Sequence, residues 1–133
     1  MSEIPDDNLV FYNPHNVPHG DVSAKWYHSK TTNALRVALV YTPPGYHSDL
    51  NLRFPVLYLQ HGAGESEMAW VYQGKINFIM DNLISSGQAM PMIIVMDNGY
   101  AASPGSVNPR RPSREDNDFK GFTYTELNYQ FRR

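Results

Sequence analysis

At 133 residues with a formal charge of −2, the chain is about the size of one domain with one core, and its interspersed charges give no basic footprint for nucleic acid or an anionic membrane. The absence of cysteine excludes disulfides, thiol nucleophiles and thiolate metal sites. No apolar run approaches the roughly 18 residues of a membrane span, and Met1 to Asn8 is acidic and polar rather than a signal sequence, so the chain reads as soluble.

Residues Met1 to Pro18 combine prolines, asparagines and Asp6-Asp7 with the aromatic pair Phe11-Tyr12, which predicts an N-terminal arm (1–18) that docks by its aromatics. His15 and His19 stand at i, i+4, a spacing that binds zinc on a helix, but Pro14 and Pro18 oppose a helix there and no metal site is expected. Val22 to Tyr27 and Leu35 to Tyr41 are strand-like, and the polar Ser29 to Asn33 between them fits an antiparallel hairpin. Thr42-Pro43-Pro44-Gly45 ends the second strand, because proline supplies no N–H to a ladder.

Val56 to Leu59 form an almost unbroken apolar run, which suits a strand covered on both faces of a parallel sheet. It stops at His61-Gly62-Ala63-Gly64, where glycines allow a tight turn that can point N–H groups at a negative charge. Ile76, Ile79, Met80, Leu83 and Ile84 then make one stripe of an amphipathic helix, and Gly87 is placed to stop it. Met92 to Met96 is a second apolar strand, so strand, helix and strand form a crossover with parallel strands. The fold class is therefore α/β with a mixed sheet, a leading antiparallel hairpin followed by parallel strands and a crossover helix. Ala101 to Asp118 reads as a long surface loop, and the aromatics from Phe119 to Phe131 fit neither helical nor strand period cleanly.

The order of these motifs carries a resemblance. Val17-Pro18-His19-Gly20-Asp21-Val22, Val40-Tyr41-Thr42-Pro43-Pro44-Gly45-Tyr46, Pro55 to Gly62, Asp81-Asn82-Leu83-Ile84 and Pro91 to Met96 together resemble carbohydrate esterase family 1, including feruloyl and acetyl-xylan esterases. The strand followed by His61-Gly62-Ala63-Gly64 is similar to the oxyanion-hole loop of α/β-hydrolase esterases. The resemblance implies the N-terminal half of an α/β-hydrolase fold. It also implies a cofactor-free serine esterase cleaving feruloyl or acetyl groups from a plant polysaccharide such as xylan, secreted or periplasmic. Gly62, Ala63 and Gly64 would then stabilise the oxyanion, while Trp70 and Asn98 would border the substrate.

A serine esterase also needs a nucleophile, an acid and a histidine, and no Gly-x-Ser-x-Gly elbow is present. Ser66 lies between Glu65 and Glu67, whose charges oppose an alkoxide, and Ser103 and Ser106 sit in a Pro/Gly loop without a nearby base. His61 precedes the glycines and reads as an orienting residue of the loop. These features predict a domain truncated before its nucleophile, single over residues 1–133, whose bare edge beside Val56 to Leu59 is covered by a homo-oligomer or a complementary fragment.

Two other readings are open. Gly62-Ala63-Gly64 between strand and helix could serve a dinucleotide, although Glu67 at the third glycine position would repel pyrophosphate. A non-catalytic carbohydrate-binding or assembly protein could use Trp26, Tyr27, Tyr41 and Tyr46 as stacking surfaces, although strand aromatics are commonly core. Asp97-Asn98-Gly99 lies where α/β sheets place ligands, and a simple turn explains it equally well.

Overall fold

The computed structural model describes residues 10–100. The expected loop from Ala101 to Asp118, with Ser103 and Ser106, and the aromatic segment Phe119 to Phe131 lie outside the described residues. After a short 3-10 turn at Val10–Tyr12 come strands β1 (Asp21–Ser29), β2 (Ala34–Thr42) and β3 (Val56–Gln60), helices α1 (Ala69–Tyr72) and α2 (Ile76–Ser85), and strand β4 (Ile93–Asp97).

The strands form one mixed sheet in the order β1-β2-β4-β3. β1 and β2 pair antiparallel through a turn in which Asn33 takes a φ of 47°, a left-handed conformation that asparagine tolerates better than most residues. β4 runs antiparallel to β2 and parallel to β3, the latter through the α2 crossover. The register shapes one end of the sheet. Asp97, the last residue of β4, lies opposite Ala38, so the pairs from Trp26/Val37 to Ser29/Ala34 have no β4 partner. The hairpin tip therefore overhangs the C-terminal ends of β3 and β4.

One sheet face buries Tyr27, Ala38, Val40, Ile93 and Val95 beneath Tyr46, Phe54 and Tyr58. The other packs Tyr41, Ile94 and Met96 against Met80, Ile76 and Ile84 of α2. Helix α2 ends as the sequence predicts: Gly87 has φ 73°, Gly87 N–H bonds the Ile84 carbonyl, and Gln88 N–H bonds the Leu83 carbonyl at 2.8 Å. This is a Schellman closure, which satisfies carbonyls that the helix end leaves without partners.

One expectation is corrected. β3 is not covered on both faces, since Val56 is 36% and Leu57 40% exposed. β4 is the strand buried along its whole length. The physical reason is position: β4 has a neighbour on each side, whereas β3 pairs only with β4 among the described residues. Each fully buried Ile, Val or Met of β4 contributes about 1.5–3 kcal/mol relative to exposure.

The lead-in segment is held by polar contacts with α2 and its entry. Asn82 Nδ2 donates to the carbonyls of Phe11 and Asn13 at 2.7 and 2.8 Å. Tyr12 donates its hydroxyl to the Gln73 carbonyl, and the Lys75 ammonium sits 4.4 Å above the Tyr12 ring. Asp81, only 2% exposed, accepts from Gly20 N–H at 2.9 Å and Tyr41 Oη at 2.7 Å, and pairs with His19 Nδ1 at 2.8 Å. Burial, reinforced by the hydrogen bond to Asp81, pushes the Tyr41 phenol well above its ordinary range. His19 is thus engaged with a carboxylate, and among the described residues no group of three or more His, Asp or Glu could hold a metal ion.

Candidate active site

The parallel strands β3 and β4 end side by side at Gln60 and Asp97, and the residues after both ends converge. Gly62 to Glu65 form a turn closed by Glu65 N–H to the Gly62 carbonyl at 3.2 Å, with Gly64 at φ 84°, as the third position of a type II turn requires. His61 fixes this turn to the end of β4. Its Nδ1 lies 2.7 Å from the Gly62 carbonyl and its Nε2 accepts from Gly99 N–H at 3.0 Å. A carbonyl can only accept, so the ring carries its proton on Nδ1. With both nitrogens engaged and the residue 8% exposed, His61 orients the loop and leaves no free nitrogen to act as a base.

The three loop amides differ in what they meet. Gly62 N–H donates to the Glu65 carboxylate at 2.8 Å, and Gly64 N–H donates to the Tyr100 hydroxyl. Ala63 N–H has no partner among the described residues. Gly64 and Glu65 wall a cavity of about 560 Å³, together with Glu67, Tyr72, Asn98 and Tyr100. Ala63 itself does not line that cavity, but the turn holds its N–H next to the Gly64 and Glu65 wall, and an open N–H held in a fixed turn can donate to a developing negative charge.

The opposite wall is set by the overhanging hairpin. Arg36 reaches the Asp97 carboxylate at 3.3 Å and also donates to the Asn98 carbonyl, while Tyr27 donates its hydroxyl to Asp97 at 3.2 Å. Burial raises the Asp97 carboxyl above its ordinary range, against the opposing pull of Arg36 and the hydrogen bond from Tyr27, and the Glu67 charge adds to the rise. Asn98 in turn donates Nδ2 to Glu67 at 3.0 Å and accepts from Tyr100 N–H at 3.0 Å.

Of the residues singled out in the sequence, Gly64 and Asn98 line the large cavity. Trp70 does not: its indole N–H donates to the Gln60 carbonyl at 3.0 Å, which pins the short helix α1 to the end of β3. Ser66 lies on the cavity wall between the two glutamates and its hydroxyl accepts from Met68 N–H at 3.4 Å. Tyr100 and the capping role of Glu65 escaped sequence reading. The only available signal was their position, one just after Asp97-Asn98-Gly99 and the other three residues beyond Gly62. A dinucleotide fits poorly here, since two carboxylates face the cavity and the helix after the glycines has only four residues.

Known proteins resemble this chain in sequence and fold. An endo-1,4-beta-xylanase/feruloyl esterase of Xylanibacter ruminicola is 43% identical over 101 residues, covering 73% of this chain and 14% of that protein. A CE1 ferulic acid esterase from Anaeromyces mucronatus, solved with ferulic acid, superposes with a TM-score of 0.68 at 32% identity, over 81% of this chain and 39% of that one. A mutant feruloyl esterase module from Clostridium thermocellum complexed with sinapinate gives a TM-score of 0.62 at 29% identity, over 74% of this chain and 32% of that one. The chain thus spans a minor part of the length of each of these relatives. An S-formylglutathione hydrolase from Agrobacterium tumefaciens, at 14% identity, shares the fold alone. With its mixed sheet, its glycine turn at the strand ends and a match of the Esterase family model to residues 29–127, the chain belongs to the Esterase family, and within it resembles the CE1 feruloyl esterases.

Proposed function

We propose that this chain forms part of a carboxylic ester hydrolase acting on feruloyl or similar acyl esters of a plant polysaccharide such as xylan. The observation that carries the reading is the unpartnered Ala63 amide in a fixed turn whose Gly64 and Glu65 wall a cavity of about 560 Å³. In this role Ala63 N–H donates to the oxyanion of the tetrahedral intermediate, the aromatic acyl group enters the cavity, and Asn98 offers it a polar contact. The attacking serine, its base and its acid belong to sequence other than these residues, since the 133 residues hold no Gly-x-Ser-x-Gly elbow. The names of the relatives, which pair xylanase with feruloyl esterase or describe ferulic acid complexes, support the substrate class.

The test is a titration of the isotopically labelled chain with ferulate, followed by amide NMR, together with an assay on methyl ferulate. Saturable shifts at Ala63, Gly64 and Tyr100 without turnover are expected. Silence at these amides overturns the acyl-site reading, and turnover by the chain alone overturns the assignment of the nucleophile to other sequence.

The same reading includes a partner. β3 offers an unpaired edge with Val56 and Leu57 half exposed, and we propose that another polypeptide strand covers it, from a second copy or a complementary fragment. Light scattering checks this: a stable monomer at low micromolar concentration with no tendency to associate would contradict it.

A further inference from the structure

We propose that the overhanging tip of the β1–β2 hairpin, centred on Trp26, is a subsite for a neutral sugar ring, the alcohol side of the ester whose acyl side enters the larger cavity. The proposal rests on the hydrolase reading and adds a second binding surface to it. Trp26 is 64% exposed, although it lies mid-strand opposite Val37, in the part of the hairpin that extends past the end of β4. Its ring lines a second cavity, of about 230 Å³, with Leu35, Arg36 and Thr32 on the hairpin side.

The far wall of this cavity is Glu67, Asn98 and Tyr100, and the same three residues wall the 560 Å³ cavity. Two cavities that share one wall suit a ligand with two dissimilar halves joined at a narrow link, which is the shape of a sugar ester. The chemistry of the smaller cavity favours the sugar half. A sugar presents a C–H face that packs on an exposed aromatic ring and a rim of hydroxyls that need polar partners. Thr32 is 7% exposed and its hydroxyl has no partner. Glu67 uses one carboxylate oxygen on Asn98 and keeps the other without a partner among the described residues. Arg36 is already neutralised by Asp97, so the cavity holds no spare positive charge for an anionic ligand. These are acceptors and donors for hydroxyl groups, set beside a stacking ring.

The experiment titrates the labelled full chain with a neutral xylo-oligosaccharide and, separately, with ferulate, reading the indole N–H signals of Trp26 and Trp70 and the backbone amides. The sugar is expected to shift the Trp26 indole and the amides of Thr32 and Leu35 in a saturable way. Trp26→Ala should weaken that binding by at least about tenfold, Trp26→Phe should keep it within about threefold, and Thr32→Val should weaken it several-fold. Signal dispersion in each variant reports whether it folds, and the Phe and Val variants keep the test valid should the alanine variant not fold. Sugar binding that ignores both Trp26→Ala and Thr32→Val, or no response of Trp26 to millimolar sugar, overturns the subsite. In the unsubstituted chain, no sugar response beside saturable ferulate shifts at Gly64 refutes the subsite alone. Loss of the ferulate shifts refutes the hydrolase reading instead.

Discussion

Two buried carboxylates, Asp81 and Asp97, divide the molecule into a scaffold half and a site half. Both are almost inaccessible, at 2% and 7% exposure. Asp81 receives three short contacts, from His19, Gly20 and Tyr41, and so joins the lead-in segment, α2 and β2 at one point. Asp97 receives longer side-chain contacts from Tyr27 and Arg36 and a backbone N–H from Asn98, and burial outweighs them enough to raise its carboxyl above the ordinary range. The difference teaches what each is for. A carboxylate saturated with donors locks packing, whereas one that keeps part of its desolvation cost stands at the end of the sheet beside the cavities, where the proposed site lies.

The sharpest way to break this comparison is Asp81→Ala. It removes the acceptor of a buried phenol and of a backbone N–H together, and is expected to cost on the order of 3–5 kcal/mol in urea unfolding. A loss below about 1 kcal/mol would remove the scaffold role. Gly20→Ala probes the same junction by crowding, because a Cβ there would overlap the Thr42 carbonyl and lie 2.6 Å from the Tyr41 ring. About 1–3 kcal/mol of destabilisation is expected, read as a lowered melting temperature.

On the site side the sign of the pH effect is the test. A carboxyl raised above its unfolded value binds a proton more tightly in the folded state. Its stabilising effect is therefore complete below about 3.8, the unfolded value, and is lost as pH rises through the higher folded value. Asp97→Asn should flatten that part of the stability curve in urea titrations run at successive pH values, whereas a curve unchanged by the substitution would show that Asp97 does not carry it. The smallest effect is expected of Glu65→Ala. Stability should change by less than about 0.5 kcal/mol at this exposed position, while hydrogen exchange at the Gly62 amide should accelerate once its carboxylate cap is gone.

The sequence read the sheet well where periodicity speaks for itself. The apolar run of β4, the stripe of α2, the Gly87 stop and the hairpin all follow from local rules, and the structure reproduces them within one or two residues. Strand burial was legible only in part. Val56 to Leu59 and Ile93 to Met96 look alike as apolar runs, and only the strand order decides that one is an edge and the other is central. The polar anchors of the lead-in segment were equally hidden, because Asn82 and Asp81 act on residues about sixty to seventy positions away in the chain. In the site, the glycines announced a turn, but which amide stays open depends on Glu65 and Tyr100, whose side-chain reach no spacing rule encodes.

The Glu65 cap on Gly62 has one more implication. A ligand oxygen arriving at that amide meets a rival tethered three residues away, whose effective concentration is in the millimolar range or above for so short a connection. The neighbouring Ala63 amide faces no such rival among the described residues, so on the proposed esterase reading an incoming oxyanion would be sorted onto one particular N–H rather than shared between two. Selectivity of this kind comes from an occupied neighbour, and it would persist even where the cavity itself is roomy.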